Sequence, residues 1–428
     1  MQSSRQPLTL RGIVRHLVWL TIIAATVILW LFREPLQNRL LAREILTNDS
    51  PPPDVVKDTI LNSPDPRAAL LAAWNSRKVV HRESAMQSFS KVLSPQRPLP
   101  PELEAVLVSA TLDPDLNVRE SAFGILRERK DSRLAALAST QLNDPDSQVR
   151  LLGLDQFRLV SSEIGAPTVI RLLNDGNPLI VTTTLYLLEN WSGESFGAKF
   201  SDAISNPDGE SGQQKDAANS NERLILAVQR AKAWWTQHRG EFSPAQLTAP
   251  ATAEAGLTTL PAGDFQLRAL DGKTVRLSDF RGKVVLVNFW TTWCMACVGE
   301  IPSLIALHEK YKDKLAVLGV CLDGVPDEDG DSGDAPALIG RSRSDKPTSL
   351  QDKVARVVKA RGINYPILMD EHNTVGGRFN GGELPTTVLL DAQGNIRRRF
   401  VGARSLAEFE AMLAEIGNTK EQQPESGK

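Results

Sequence analysis

Cysteine is scarce in this chain: three in 428 residues, Cys294, Cys297 and Cys321. That number cannot staple a small scaffold, so the fold must rest on buried apolar surface. Histidine is nearly as rare, at five. No second cysteine pair and no histidine pair is placed to complete a four-ligand zinc site, so no metal is expected. An excess of charge of one sign is also missing, with 49 basic against 51 acidic residues. No basic stripe with interleaved aromatics is present, which excludes a nucleic-acid partner. Val298 stands where a c-type haem attachment site needs histidine. The length exceeds one ordinary domain and predicts two or three.

The cysteines that are present are informative by position. The apolar run Val284-Val285-Leu286-Val287-Asn288-Phe289 precedes Trp290-Thr291-Thr292-Trp293-Cys294-Met295-Ala296-Cys297, and a helical pattern follows. A Cys-x-x-Cys pair that opens a helix sets the first sulfur beside unpaired backbone N–H groups and the positive end of the helix dipole, which favours thiolate. The second sulfur lies one turn further in, close enough to close a small disulfide. The chemistry of this arrangement is thiol–disulfide exchange. Cys321, inside a central strand, is expected to be a buried small apolar residue.

At the other end, residues 1–16 carry Arg5, Arg11 and Arg15 and no acid, and residues 17–32 carry no charge. As a helix those residues span about 24 Å against a bilayer core of about 30 Å. Ile13 and Val14 lengthen the stretch if Arg15 snorkels, and Trp19 and Trp30 stand near its ends. No small-x-small cleavage site follows, so residues 13–32 are expected to be an uncleaved single-pass anchor. A cleaved signal or a buried helix are the alternatives. Basic residues keep 1–12 as a cytoplasmic tail and send the rest to the periplasmic or extracytoplasmic side of the inner membrane, although Arg33, Arg39 and Arg43 weaken the asymmetry. Residues 33–59 read as a juxtamembrane linker.

A repeat follows. Asp113-Pro114-Asp115, Asp144-Pro145-Asp146 and Asp175-Gly176-Asn177-Pro178 recur at a step of 31, and Val118, Val149 and Ile180 keep the register. Each unit reads as a turn with a capping side chain, an amphipathic helix and a second helix, for example over 134–142 and 167–173. Arg82-Glu83-Ser84-Ala85 resembles Arg119-Glu120-Ser121-Ala122 and marks an irregular earlier unit. A period near 30 with two helices per unit predicts an all-α solenoid over 60–241, and the turn-helix pattern resembles short HEAT-like repeats. Such a domain provides a binding face for a protein partner or a spacer. Residues 202–222 read as a loop. The helix over 223–239 carries Trp234 and Trp235, one of which is expected to cap the solenoid's apolar end. Residues 242–262 read as a flexible linker.

From Asp264 the pattern becomes that of strands: a hairpin over 265–277, strands at 284–290 and 315–322, a helix from Cys294 to Lys312, another at 350–359, and a second hairpin pairing 386–390 with 396–401. Ser405 and Glu408 form a capping box for a closing helix. This is an α/β sheet. The blocks Phe280-Arg281-Gly282-Lys283 through Cys297, Glu300 with Pro302, Tyr365-Pro366 and Leu384-Pro385-Thr386 resemble the TlpA/ResA-like branch of the thioredoxin family, over residues 263–417. Residues 418–428 read as a disordered tail.

The resemblance implies a thioredoxin fold and an anchored or exported thiol–disulfide oxidoreductase with no cofactor beyond its redox-active disulfide, Cys294–Cys297. Cys294 is then the exposed nucleophile and Cys297 the resolving thiol. Pro385 is the cis-proline of the substrate-docking edge, Trp290 and Trp293 pack around the site, and Glu300 has a proton-handling or a structural role. The partners implied are protein disulfide substrates and a membrane or extracytoplasmic electron donor. The resemblance favours a reductase. Met295 and Ala296 replace the prolines frequent between the family's cysteines, and Asn288 replaces thioredoxin's buried aspartate. A repeat-based scaffold with a docking head and a thiol-dependent peroxidase are the competing readings. Against the peroxidase, a peroxidatic cysteine belongs to a different local motif.

Overall fold

The computed structural model describes residues 52–76, 78–199, 211–242, 247, 260–324 and 349–418. The expected anchor at 13–32, most of the 242–262 linker and residues 419–428 lie outside them. Among the described residues no helix is long and apolar enough to cross a membrane.

The chain forms two compact units that divide between Ser94 and Pro95. In the first, helices Pro53–Leu61, Pro66–Asn75 and Val79–Val92 pack on one another. Their core is Ile60, Leu70, Ala73, Met86 and Phe89, all but solvent-free. Pro53, expected in the linker, is instead the first residue of a helix, where its missing N–H has no consequence.

The second unit holds both the remaining helices and the whole α/β sheet. The three sequence turns build one geometry. Asp113, Asp144 and Asp175 each accept, through Oδ1, the backbone N–H two residues on, at 2.9 Å in all three. Asp115, Asp146 and Asn177 then cap helices Leu116–Glu128, Ser147–Gln156 and Pro178–Ser192. Arginines tie turn to turn: Arg119 reaches Asp144 at 3.4 Å, and Arg150 grips both oxygens of Asp175 at 2.8 and 2.9 Å. The ladder ends where Val181 occupies the third arginine position.

The returning helices run over Leu134–Gln141 and Ser162–Val169. The latter starts earlier than expected and passes into a 3₁₀ turn over Ile170–Asn174. Helix Ser211–His238 begins inside the expected 202–222 loop. Gln, Lys and Ala between 213 and 218 are polar or small, but they are also good helix formers. Trp234 and Trp235 share a neighbour. Both rings meet Phe242, at 6.0 and 5.3 Å between centroids.

The sheet has eight strands in the order β1-β8-β7-β4-β5-β6-β2-β3. These are β1 Leu260–Pro261, β2 Gln266–Ala269, β3 Thr274–Arg276, β4 Val284–Trp290, β5 Leu315–Cys321, β6 Ile367–Met369, β7 Thr386–Leu390 and β8 Asn395–Val401. β4 runs parallel to β5 and antiparallel to β7, and from Val285 onward it is buried at every residue, as a continuous apolar run requires in a covered sheet. Helix Met295–Tyr311 makes the crossover from β4 to β5 and packs on the closing helix Leu406–Asn418. Ser405 and Glu408 form the expected box, with Ser405 N–H donating to Glu408 at 3.0 Å. β1 begins at Leu260, inside the expected linker, because Leu260 pairs with Ile396.

The helical repeats and the sheet are not held apart. Arg398 donates to Asp144 at 2.8 and 3.2 Å, Arg399 to Asp115 at 2.9 Å and Arg404 to Asp146 at 2.9 and 3.1 Å. The N–H of Arg399 donates to the carbonyl of Pro114 at 2.8 Å, extending the β8 edge by one bridge. All three arginines are buried. The three carboxylates come from the turns of the helical region.

Candidate active site

β4 ends at Trp290, and the chain turns through Thr291, Thr292 and Trp293 into helix Met295–Tyr311. The turn is pinned from below. Asp323, just past β5, accepts from Thr292 N–H at 2.7 Å and from Thr292 Oγ1 at 2.5 Å, and pairs with Lys353 at 3.1 Å. Cys294 is the N-cap, and its Sγ accepts from the N–H of Cys297 at 3.1 Å. A sulfur in that position faces the helix's free donors, where negative charge is favoured. Cys294 and Cys297 are joined in a disulfide with Cα atoms 5.3 Å apart. Cys294 keeps 8 % of its surface and Cys297 2 %. The expected exposed sulfur is therefore nearly covered, although it remains the more accessible of the two. Its neighbour Met295 is 61 % exposed.

Trp290 is buried in the same apolar cluster as both cysteines, and half-buried Trp293 packs against that cluster. Cys321 is buried and reduced, with its Sγ 3.5 Å from Asp323. Burial, reinforced by the nearby Asp323, pushes its thiol well above the ordinary range, so it is not a thiolate nucleophile.

Glu300 lies one turn beyond Cys297 and is 2 % exposed. It accepts from Asn288 Nδ2 at 2.9 Å and from the N–H of Arg404 at 2.7 Å. Burial raises its carboxyl to about 7, against the opposing pull of Arg404 and Asn288. An acid so placed holds or releases a proton at neutral pH. Asn288 also donates to Thr387 at 3.0 Å, so it links Glu300 to β7.

The Leu384–Pro385 peptide bond is cis. Phe289 pairs with Thr386, which sets Pro385 level with the Trp290 end of β4. The N–H of Gly402 donates to the Pro385 carbonyl at 2.8 Å. Gly381, four residues upstream, has no room for a side chain, because a Cβ there would lie 2.9 Å from the Phe289 ring.

Sequence reasoning missed Arg404, Asp323 and the second oxygens of Asp115 and Asp146. Asp115 and Asp146 were legible as caps, and a cap uses only part of a carboxylate's capacity. Among the described residues no three His, Cys, Asp or Glu side chains gather as metal ligands.

Residues 259–399 match the AhpC/TSA family. Thiol-disulfide oxidoreductase ResA of Bacillus cereus is 30 % identical over 155 residues, which cover 36 % of this chain and 76 % of that protein. The chain belongs to the ResA-like thiol–disulfide oxidoreductases. Thioredoxin-like protein YneN of Bacillus subtilis is similarly related, at 32 % identity over 36 % of this chain and 76 % of its own length. ResA of Geobacillus kaustophilus is 32 % identical over 39 % of this chain and 80 % of its own. In this ResA-like chain the matched part is the sheet region with its cysteine pair, and the helical region lies beyond it.

Proposed function

We propose that this oxidoreductase exchanges disulfides with protein substrates through Cys294 and Cys297 and runs as a reductase. The observation that carries the reading is Cys294 at the helix N-cap, its sulfur accepting the Cys297 N–H and less buried than its partner. In the reduced enzyme the Cys294 thiolate attacks one sulfur of a substrate disulfide and expels the other as thiolate. Cys297, losing its proton, attacks the Sγ of Cys294 in the mixed disulfide. That attack expels the second substrate sulfur as thiolate and closes the enzyme disulfide, and the two substrate thiolates take up protons from water. The Glu300 carboxylate is the acceptor for the Cys297 proton. An external dithiol donor restores the enzyme, taking the oxidation onto itself. Pro385 and the loop before it form the docking edge.

The uncharged stretch at 13–32 supports single-pass anchoring with the catalytic unit on the extracytoplasmic face of the inner membrane. The Asp-turn ladder from Arg119 to Asp175 supports HEAT-like stacking of the helical units. The direction of electron flow rests on the resemblance, and a measured reduction potential of the pair decides it.

The test is reduction of insulin disulfides by the full chain with a chemical dithiol as donor. The native protein is expected to reduce insulin, Cys294→Ser to be inactive, and Cys297→Ser to accumulate a mixed disulfide. Equal rates for native protein and Cys294→Ser overturn the mechanism. The AhpC/TSA match supports a second reading, a thiol-dependent peroxidase, which peroxide consumption by the reduced protein tests directly.

A further inference from the structure

The turn 113–117 belongs to the helical region, yet it reaches the loop 379–385 at two places. Upstream, the fully buried Arg399 donates Nε to the Phe379 carbonyl and Nη2 to the Asn380 carbonyl, both at 2.6 Å, and Nη1 to Asp115 Oδ2 at 2.9 Å. Asp115 uses its other oxygen, Oδ1, to cap helix Leu116–Glu128. Downstream, Asn117 Nδ2 donates to Glu383 Oε2 at 3.3 Å, next to Leu384 and Pro385. Between these points Gly381 is wedged against Phe289. Leu116 packs on the same buried cluster that includes Cys294 and Cys297, as do Leu384 and Trp293.

We propose that Asp115 and Asn117 are positioning residues of the oxidoreductase site: from the helical region they fix the loop 379–385, and so set which protein disulfides reach Cys294. This rests on the reading under Proposed function. A protein substrate must lay a stretch of chain along that loop, so every loosening of the loop is an ordering cost at binding. A small aromatic disulfide reaches Cys294 without using the loop. The dependence on the helical region therefore differs between the two substrates, and that difference separates positioning from plain structural support.

The experiment uses the full chain with insulin and with a small aromatic disulfide. For Asn117→Ala the ratio of kcat/KM for insulin to kcat/KM for the small disulfide is expected to fall about three- to tenfold, the range of one hydrogen bond of ordinary net strength. The fall should appear in KM more than in kcat. Asp115→Asn keeps the capping oxygen and removes the charge facing Arg399, and it should lower the ratio in the same direction. If Asp115→Asn melts below the assay temperature, the exposed Asn117→Ala contact decides alone. Adding Glu383→Ala to Asn117→Ala should cost nothing further, because the two single changes remove one contact. An unchanged ratio, equal losses on both substrates, or additive losses overturn the inference. A native protein that reduces neither disulfide overturns the oxidoreductase reading instead.

Discussion

Asp146 and Arg404 form a two-point pair, at 2.9 and 3.1 Å, with both side chains 2 % exposed. The same Arg404 presents its backbone N–H to Glu300. A residue of the helical turns is thus one step removed from the acid beneath the cysteine pair.

Breaking that pair should be costly. Asp146→Asn retains a capping oxygen but leaves the Arg404 guanidinium buried without its counter-charge. The expected loss is about 3–5 kcal/mol of unfolding free energy, as for other one-sided cuts of buried ion pairs. Urea unfolding of the full chain measures it, and a loss under 1 kcal/mol would show that water reaches Arg404.

Glu300 should give stability a pH dependence of definite sign. Its carboxyl lies at about 7 in the fold against an ordinary 4.5. The neutral acid is favoured in the folded protein, so this contribution is complete below pH 4.5 and is lost as pH rises through about 7. The displacement corresponds to about 3 kcal/mol. Glu300→Gln cannot titrate, so its stability relative to the native protein should improve by up to that amount between pH 4.5 and 8. Parallel stability curves for the two proteins would contradict the assignment.

The cap of the third turn can be probed alone. Asn177 accepts the N–H of Leu179 at 2.9 Å, and Asn177→Ala should cost about 1 kcal/mol. Asn177→Asp should be neutral, and thermal melts of the three proteins give the comparison.

Close packing between a returning helix and the next turn helix predicts a fourth result. A Cβ on Gly153 would lie 2.7 Å from Gln141 Cβ and 2.8 Å from the Ala138 carbonyl. Gly153→Ala should therefore destabilise by about 1–3 kcal/mol despite the better helix propensity of alanine. A stabilised variant would mean that the two helices separate easily.

Local signals made the core of the site legible. The run 284–290 is apolar at nearly every position because β4 is covered on both sides, and the cysteine pair follows where a helix must start. The capping turns were legible because their side-chain chemistry acts within a few residues. Contacts across long separations were not. Nothing near Arg398, Arg399 or Arg404 in the sequence shows that their partners lie some 250 to 290 residues earlier. Charge on Asp144 and Asp146 was used up, in the sequence reading, by local turn formation. Composition was misleading at 211–222, where polarity pointed to a loop while the helix-forming residues decided the outcome.

The bridge from Pro114 to Arg399 has a consequence for life in a crowded compartment. A strand bordering a sheet offers its free amides and carbonyls to any passing strand, and self-association follows that route. Here one flank of β8 is taken by Leu260 and Pro261 at its start and by the Pro114 carbonyl further along. Pro261 itself has no amide to offer. The opposite border, β3, is three residues long and ends on exposed Arg276. Among the described residues both borders of the sheet are therefore short, which leaves a second copy little length along which to continue it.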